Sequence, residues 1–168
     1  MKPTKKVLFL CTGNSCRSQI AEALVNAQWS ARWQAFSAGT RPAGYVHPNA
    51  IQALAEIGIQ HRGVSKHSDQ YKGTAFDLVV TVCDSAAEDC PVWLGEGIKV
   101  HHSFIDPADA QGSADEVMQV FRQVRDQIRS WLPQLLADKK ESGNDYPGAV
   151  HPETKRRSPK STLPHPEG

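Results

Sequence analysis

No run of apolar residues in this chain approaches the roughly 20 that a membrane-crossing helix requires. The basic start, with Lys2, Lys5 and Lys6, leads only into the short apolar stretch 7–10 before polar residues resume. Neither a membrane anchor nor a cleaved leader is therefore expected, and the chain reads as cytoplasmic. Net charge is nearly absent as well. A formal +1 over 168 residues gives no general attraction to nucleic acid or to a membrane surface, so a charged ligand must be held by a local site. Cysteine is sparse, four residues in all: Cys11, Cys16, Cys83 and Cys90. The close Cys-x-x-Cys or Cys and His spacings of a structural metal site are missing. In a reducing compartment such a set is more often catalytic than a disulfide framework. Residues 139–168 contain almost no apolar side chains, so burial there cannot offset the entropy of ordering. One domain over residues 1–138, followed by a disordered tail over 139–168, is expected, and the protein is expected to be monomeric.

What the chain does have, 39% hydrophobic and 22% charged residues, is enough for one core. Residues 7–10 form an unbroken apolar run, the mark of a strand buried on both faces. From Arg17 onward Ile20, Ala21, Leu24 and Val25 recur at helical spacing. Residues 35–38 read as a second strand closed by Gly39. Pro48 opens a helix expected to carry Ile51, Leu54 and Ala55 on one side and to stop at Gly58. Residues 77–82 and 98–101 read as the third and fourth strands. Ser113 and Glu116 form a capping box ahead of Val117, Val120, Phe121, Val124, Ile128, Trp131 and Leu135, and Pro133 is expected to kink or end that helix. Residues 83–94 carry no comparable repeat. Alternating strands and helices predict an α/β fold, a parallel sheet with helices on both faces and a site at the carboxyl ends of its strands.

That rule directs attention to the octet Cys11-Thr12-Gly13-Asn14-Ser15-Cys16-Arg17-Ser18, which follows the first strand and enters a helix. Such a loop can curl until successive N–H groups point at one centre, and the helix start adds partial positive charge. Gly13 and Asn14 tolerate the left-handed dihedrals the curl needs. Arg17 offers a planar fork for two oxygens of a tetrahedral oxyanion. The same donors, with the Ser18 hydroxyl, favour a thiolate at Cys11, and the thiolate is the nucleophilic form. The plainer reading, a small buried cysteine at a strand end, leaves the rest of the octet unexplained.

The octet resembles the phosphate-binding loop of the low-molecular-weight protein tyrosine phosphatases and, more closely, that of the arsenate reductases sharing their fold. Residues 19–22, Phe36-Ser37-Ala38-Gly39 and residues 79–91 carry the resemblance further, over about residues 5–137. It implies a four-stranded parallel sheet flanked by helices on both faces. It implies Cys11 as nucleophile, Arg17 as oxyanion clamp, an oxyanion cradle of Thr12, Gly13, Asn14, Ser15, Cys16 and Arg17, and Asp106 as general acid. On its own an Asp-Pro pair such as Asp106-Pro107 is only a turn. Some relatives hold a potassium ion, at positions matched here by Asn14, Glu22, Ser37 and Asp69. No tightly bound cofactor is implied. Phosphatases of this fold usually place a tyrosine after the Asp-Pro pair, where this chain has Ala108, so a wall for a phosphotyrosine ring is missing.

Cys83 and Cys90 separate the two branches, because ester hydrolysis needs one thiol whereas reducing As(V) to As(III) takes two electrons from sulfur. The resemblance implies a relay in which Cys11 attacks arsenate, Cys83 attacks Cys11 and releases arsenite, and Cys90 attacks Cys83. Phosphate and sulfate would compete with arsenate, and an external thiol would close the cycle. Thioredoxin suits a Cys83–Cys90 disulfide, whereas a glutathione or mycothiol route with a glutaredoxin-like protein would need a mixed disulfide. A phosphatase acting on phosphate monoesters and a redox or oxyanion sensor are the alternatives, and a metal pair of these cysteines with Cys16 is a third. Residues seven apart lie roughly 10 Å apart along a helix, while a disulfide needs Cα atoms within about 7 Å. Residues 84–90 are therefore expected to loop out or unwind on oxidation.

Overall fold

The structure, a computed structural model, describes residues 3–84 and 90–137. The expected tail and residues 85–89, the middle of the segment expected to rearrange, lie outside the described residues. Strand β1 (Lys5–Cys11) occupies the centre, paired in parallel with β2 (Trp33–Gly39) on one side and β3 (Leu78–Thr81) on the other. Strand β4 (Ile98–His101) pairs with β3, giving the order β2-β1-β3-β4 with every pairing parallel. This is the four-stranded α/β sheet the sequence predicts. Val7, Leu8, Phe9, Leu10 and Cys11 are all buried, as the apolar run requires of a strand covered on both faces.

Three α-helices, α1 (Arg17–Gln28), α2 (Pro48–Ala55) and α3 (Ala114–Leu136), share one large core with Val7, Phe9, Leu78, Val80 and Val100. The opposite side of the sheet, with Leu8, Leu10, Ala38 and Val79, carries a second, smaller cluster. Among the described residues it packs against Phe36, Tyr71, Phe76 and Trp93, and the nearest helical element is the 3₁₀ turn Ser68–Tyr71. Aromatic rings supply much of this packing among the described residues. Their centroids lie 5.6–5.9 Å apart in edge-to-face contact, the arrangement ring quadrupoles favour.

Two expectations are corrected. The buried side of α2 is Ala50, Ala53 and Leu54, while Ile51 is 39% exposed and Ala55 is exposed. A helix of only eight residues has two nearly equivalent stripes, and the one that meets α3 is decided by packing, not by period. Pro133 sits inside α3, which continues to Leu136. The proline removes one backbone hydrogen bond, and in a helix interior it costs about 3 kcal/mol or more. Burial of Leu132, Leu135 and Leu136, each worth roughly 1.5–3 kcal/mol, outweighs it.

Candidate active site

Parallel pairing sets the site. Cys11 ends β1 opposite Gly39 of β2, and the Val82 N–H donates to the Leu10 carbonyl at 2.9 Å. Val82 thus stands beside the end of β1, and Cys83 is the next residue. Between Cys11 and α1 the loop turns its carbonyls outward. Thr12 C=O accepts from Arg41 N–H at 3.0 Å, Gly13 C=O from Ala43 N–H at 2.9 Å and Ser15 C=O from His47 N–H at 3.0 Å. Ser65 Oγ also donates to Gly13 C=O, at 3.2 Å. Carbonyls held outward leave the amides facing the sulfur, a backbone nest for an anion. The Asn14 N–H donates to Cys11 Sγ at 3.2 Å.

Asn14 carries the curl with φ 46°, a left-handed conformation, whereas Gly13 keeps a negative-side φ. Its side chain explains how a non-glycine is held there. Asn14 Nδ2 donates to Ser18 Oγ at 2.8 Å, and Asn14 Oδ1 accepts from Gln19 Nε2 at 3.0 Å and from the Lys66 N–H at 2.8 Å. Ser18 Oγ, which accepts from Asn14, lies 2.8 Å from Cys11 Sγ; towards a Cys11 thiolate, which has no proton to give, the hydroxyl is the donor. Gln19, fully buried, also donates to Val64 C=O and accepts from His61 Nε2 at 2.7 Å. Burial, and secondarily the charge of Lys66, hold the His61 imidazole below its ordinary value; a neutral ring protonated on Nε2 fits the contact.

Arg17 is 2% exposed. One guanidinium nitrogen donates to Phe104 C=O at 3.1 Å and another lies 3.4 Å from Asp106 Oδ2. Asp106 Oδ1 meanwhile accepts from the Ala108 N–H at 3.0 Å, capping the 3₁₀ turn Pro107–Asp109. Asp106 is thus both the turn former that its Asp-Pro pair predicts and a carboxylate at the mouth of the cradle. Cys16 is buried, and its thiol is pushed up to about 12, chiefly by burial and then by the negative charges of Asp106 and Cys11. Cys83, fully buried after β3, is disulfide-bonded to Cys90, with Cα atoms 5.8 Å apart. Cys11 and Cys16 are free. Among the described residues no group of three or more His, Cys, Asp and Glu side chains could hold a metal ion.

The sequence pattern described as the low molecular weight phosphotyrosine protein phosphatase matches residues 6–144. The chain belongs to this phosphatase family. It is 46% identical to an arsenate reductase of Halalkalibacterium halodurans over 125 residues, 74% of this chain and 89% of that enzyme. The structure of an arsenate reductase from Archaeoglobus fulgidus superposes with a TM-score of 0.59 at 29% identity, covering 75% of this chain and 98% of that one. A thioredoxin-dependent arsenate reductase of Corynebacterium glutamicum gives a TM-score of 0.55 at 25% identity, covering 77% and 61%.

Within this phosphatase family fold the predicted residues fall into three groups. Cys11, Asn14, Arg17, Ser18 and Asp106 come together around the cradle. Cys83 and Cys90 form a bonded pair at the end of the neighbouring strand. Of the residues matched to a potassium site, Ser37 Oγ donates to Glu22 Oε2 at 2.7 Å, and Asn14 Oδ1 accepts from Gln19 and Lys66. Asp69, with a side chain 61% exposed, pairs with Lys72 at 3.1 Å. Burial raises the pKa of Glu22, opposed by the Ser37 hydrogen bond and the charge of Lys66.

Sequence reasoning missed Gln19 and His61 as supports of Asn14, and the role of Gly39. A Cβ on Gly39 would strike the Thr12 carbonyl oxygen and approach Asn14 N to 3.0 Å, so the strand end must be glycine for the loop to pass over it. The Phe36-Ser37-Ala38-Gly39 stretch held that signal. A lone histidine 42 positions from its partner leaves none.

Proposed function

We propose that the protein is an arsenate reductase that converts arsenate to arsenite through Cys11, Cys83 and Cys90. The observation that carries the reading is a disulfide between Cys83 and Cys90 beside a free Cys11 seated in an oxyanion cradle. A phosphatase has no use for the second and third thiols. Arsenate enters the nest of loop amides, with Arg17 turning its fork from Asp106 onto two arsenate oxygens. The Cys11 thiolate attacks arsenic, and an arsenate oxygen leaves as water after taking a proton, for which Asp106 is the donor. The Cys83 thiolate then attacks Cys11 Sγ. The S–As bond breaks, its electron pair passes to arsenic, and As(V) becomes As(III), released as arsenite. Cys90 attacks Cys83 Sγ, freeing Cys11 and leaving the Cys83–Cys90 disulfide.

An external dithiol closes the cycle. Cys83 is fully buried while Cys90 is only partly so, so an incoming thiolate meets the sulfur of Cys90 and expels that of Cys83. The partner's second thiol resolves the mixed disulfide, and two electrons have been transferred. Thioredoxin, the donor named for the Corynebacterium relative, has this chemistry.

Arsenite release by the full chain with thioredoxin, thioredoxin reductase and NADPH tests the reading, beside Cys11→Ser, Cys83→Ser and Cys90→Ser and beside aryl phosphate hydrolysis. Loss of multiple turnover in all three variants is expected. Brisk aryl phosphate cleavage independent of Cys83 and Cys90, with no arsenite formed, would make the protein a phosphatase.

A further inference from the structure

Trp131 is buried on α3, 6% exposed, and burial alone would make it an ordinary core residue. Its partners single it out. The Phe104 ring meets it edge-on at 5.7 Å, and the His102 ring lies nearly parallel to it, at 4.7 Å and 20°. His102 and Phe104 also touch, with centroids 4.7 Å apart, so the three rings close a triangle. Phe104 is the residue whose carbonyl accepts from the Arg17 guanidinium at 3.1 Å, across 87 positions of sequence. Little else fixes that carbonyl. After the His102 N–H, which donates to Thr81 C=O at 3.0 Å, the next backbone-to-backbone hydrogen bond along the chain among the described residues is that of Asp109 N–H to Asp106 C=O. Residues 103–105 therefore run beside Arg17 without a ladder to hold them. On their outer side an open hollow of about 650 Å³ separates them from α3, lined by residues including Ser103, Gln123, Gln127 and Trp131. The rings are what joins loop and helix there.

We infer that Trp131 is a positioning residue for the oxyanion clamp: through the Phe104 ring it holds the Phe104 carbonyl, and through that carbonyl it holds Arg17. The inference rests on the oxyanion site of the proposed function and adds to it a residue outside the cradle. A guanidinium presents several N–H groups in a rigid fork, and a clamp needs some of them on the oxyanion while others keep its plane in place. Asp106 cannot be the keeper, because the reaction draws Arg17 from Asp106 onto the oxyanion. The Phe104 carbonyl is neutral and is not consumed by the ligand, so Arg17 can exchange Asp106 for an oxyanion without losing its orientation. Holding a clamp to a fraction of an ångström takes a support that is itself locked by packing. The edge-to-face contact of Phe104 with Trp131 supplies that lock, and His102, itself exposed, covers a face of the Trp131 ring.

The test uses inorganic phosphate, so arsenate turnover plays no part in it. The full chain with Cys83 and Cys90 bonded is treated with iodoacetamide, the rate of Cys11 labelling is followed by peptide mass analysis across a range of phosphate concentrations, and the shielding curve gives the phosphate affinity. Wild type is compared with Trp131→Leu, Trp131→Phe and His102→Ala. Loss of the ring contacts corresponds to a phosphate affinity weakened about fivefold in Trp131→Leu, with most of the loss restored in Trp131→Phe. His102→Ala, a change to an exposed side chain, should weaken it about threefold, and it decides the matter if Trp131→Leu does not fold. In the folded variants the Cys11 rate without phosphate should stay at the wild-type value, since Asn14 and Ser18 are untouched, and Cys16 should stay unlabelled. A merely structural role predicts the reverse, with Cys11 and Cys16 labelled faster together and the phosphate affinity unmoved. That pattern, a phosphate affinity equal to wild type in the folded variants, or Trp131→Phe no better than Trp131→Leu overturns the inference. Phosphate that fails to shield Cys11 even in wild type would overturn the oxyanion cradle and this inference with it. The expected shielding with no arsenite formed would support it and count against the arsenate reading alone.

Discussion

Cys11 and Cys16 are buried thiols on one loop with opposite surroundings. Cys11 Sγ receives the Asn14 N–H and faces the Ser18 hydroxyl, whereas the Cys16 thiol is driven up to about 12 by burial and by its anionic neighbours. A thiol so placed is neither nucleophile nor ligand at neutral pH. Cys16→Ala should therefore retain turnover within about threefold of wild type, a change below roughly 0.7 kcal/mol in the barrier, and iodoacetamide at pH 7 should label Cys11 and spare Cys16 by peptide mass analysis. Labelling of Cys16 at a comparable rate would contradict the assignment. The residue types announced Cys11 and Arg17, because nucleophile and clamp are the chemistry itself. They did not announce His61, whose job is to hold Gln19 and which could be met only in three dimensions. Its imidazole is held below 6.5 by burial and by Lys66, so the unfolded chain binds a proton more readily than the folded one. Stability from neutral His61 is complete above pH 6.5 and is lost as pH falls through that value toward the folded one. Melting temperature should fall less steeply from pH 7 to 5 in His61→Gln than in wild type. His47 and His102, both lowered chiefly by burial, preserve part of the slope in the variant. Superimposable profiles would remove His61 from the account.

Among the elements, the end of β2 decides more than its length suggests. Gly39 lies under the loop at the Thr12 carbonyl, and that carbonyl is also the acceptor for Arg41. Gly39→Ala must displace the loop, and with it the amides that receive the oxyanion. The KM for arsenate should rise about tenfold or more, on the order of 1.4 kcal/mol of lost binding, while reduction of the Cys83–Cys90 disulfide by dithiothreitol proceeds at the wild-type rate. An unaltered KM would mean that the loop tolerates the extra methyl group. The strands and their order of appearance were legible because an apolar run like residues 7–10 has one economical explanation. The covering of the second sheet face was not, since Phe36, Tyr71, Phe76 and Trp93 are scattered over 58 positions, from 36 to 93, and no local repeat joins them. Pro133 misled for a related reason: the backbone rule is local, while the leucines that outweigh it are buried by partners elsewhere.

At the scale of the whole molecule, the two central strands β1 and β3 deliver Cys11 and Cys83 to one end of the sheet, so sulfur can pass oxidation from the cradle to Cys90 without a domain movement. Cys90→Ser interrupts this transfer after its second step. One arsenite should be released per chain in the absence of external thiol, with a Cys11–Cys83 bond trapped and detected as a loss of two hydrogens by intact-mass measurement. Sustained turnover in that variant would show that Cys90 is dispensable. The cysteine set made the relay legible in outline, whereas the pairing of strands that brings its members together was not encoded in any short stretch. The bonded pair has a further consequence. With Cys83 committed to Cys90, the cradle and the Cys11 thiol are left intact, so the oxidised molecule still takes up oxyanion but has no sulfur with which to reduce it. When reductant runs short, such a population ceases to be a catalyst and becomes a reversible sink for arsenate, occupied in proportion to its share of total oxyanion and emptied again when phosphate prevails.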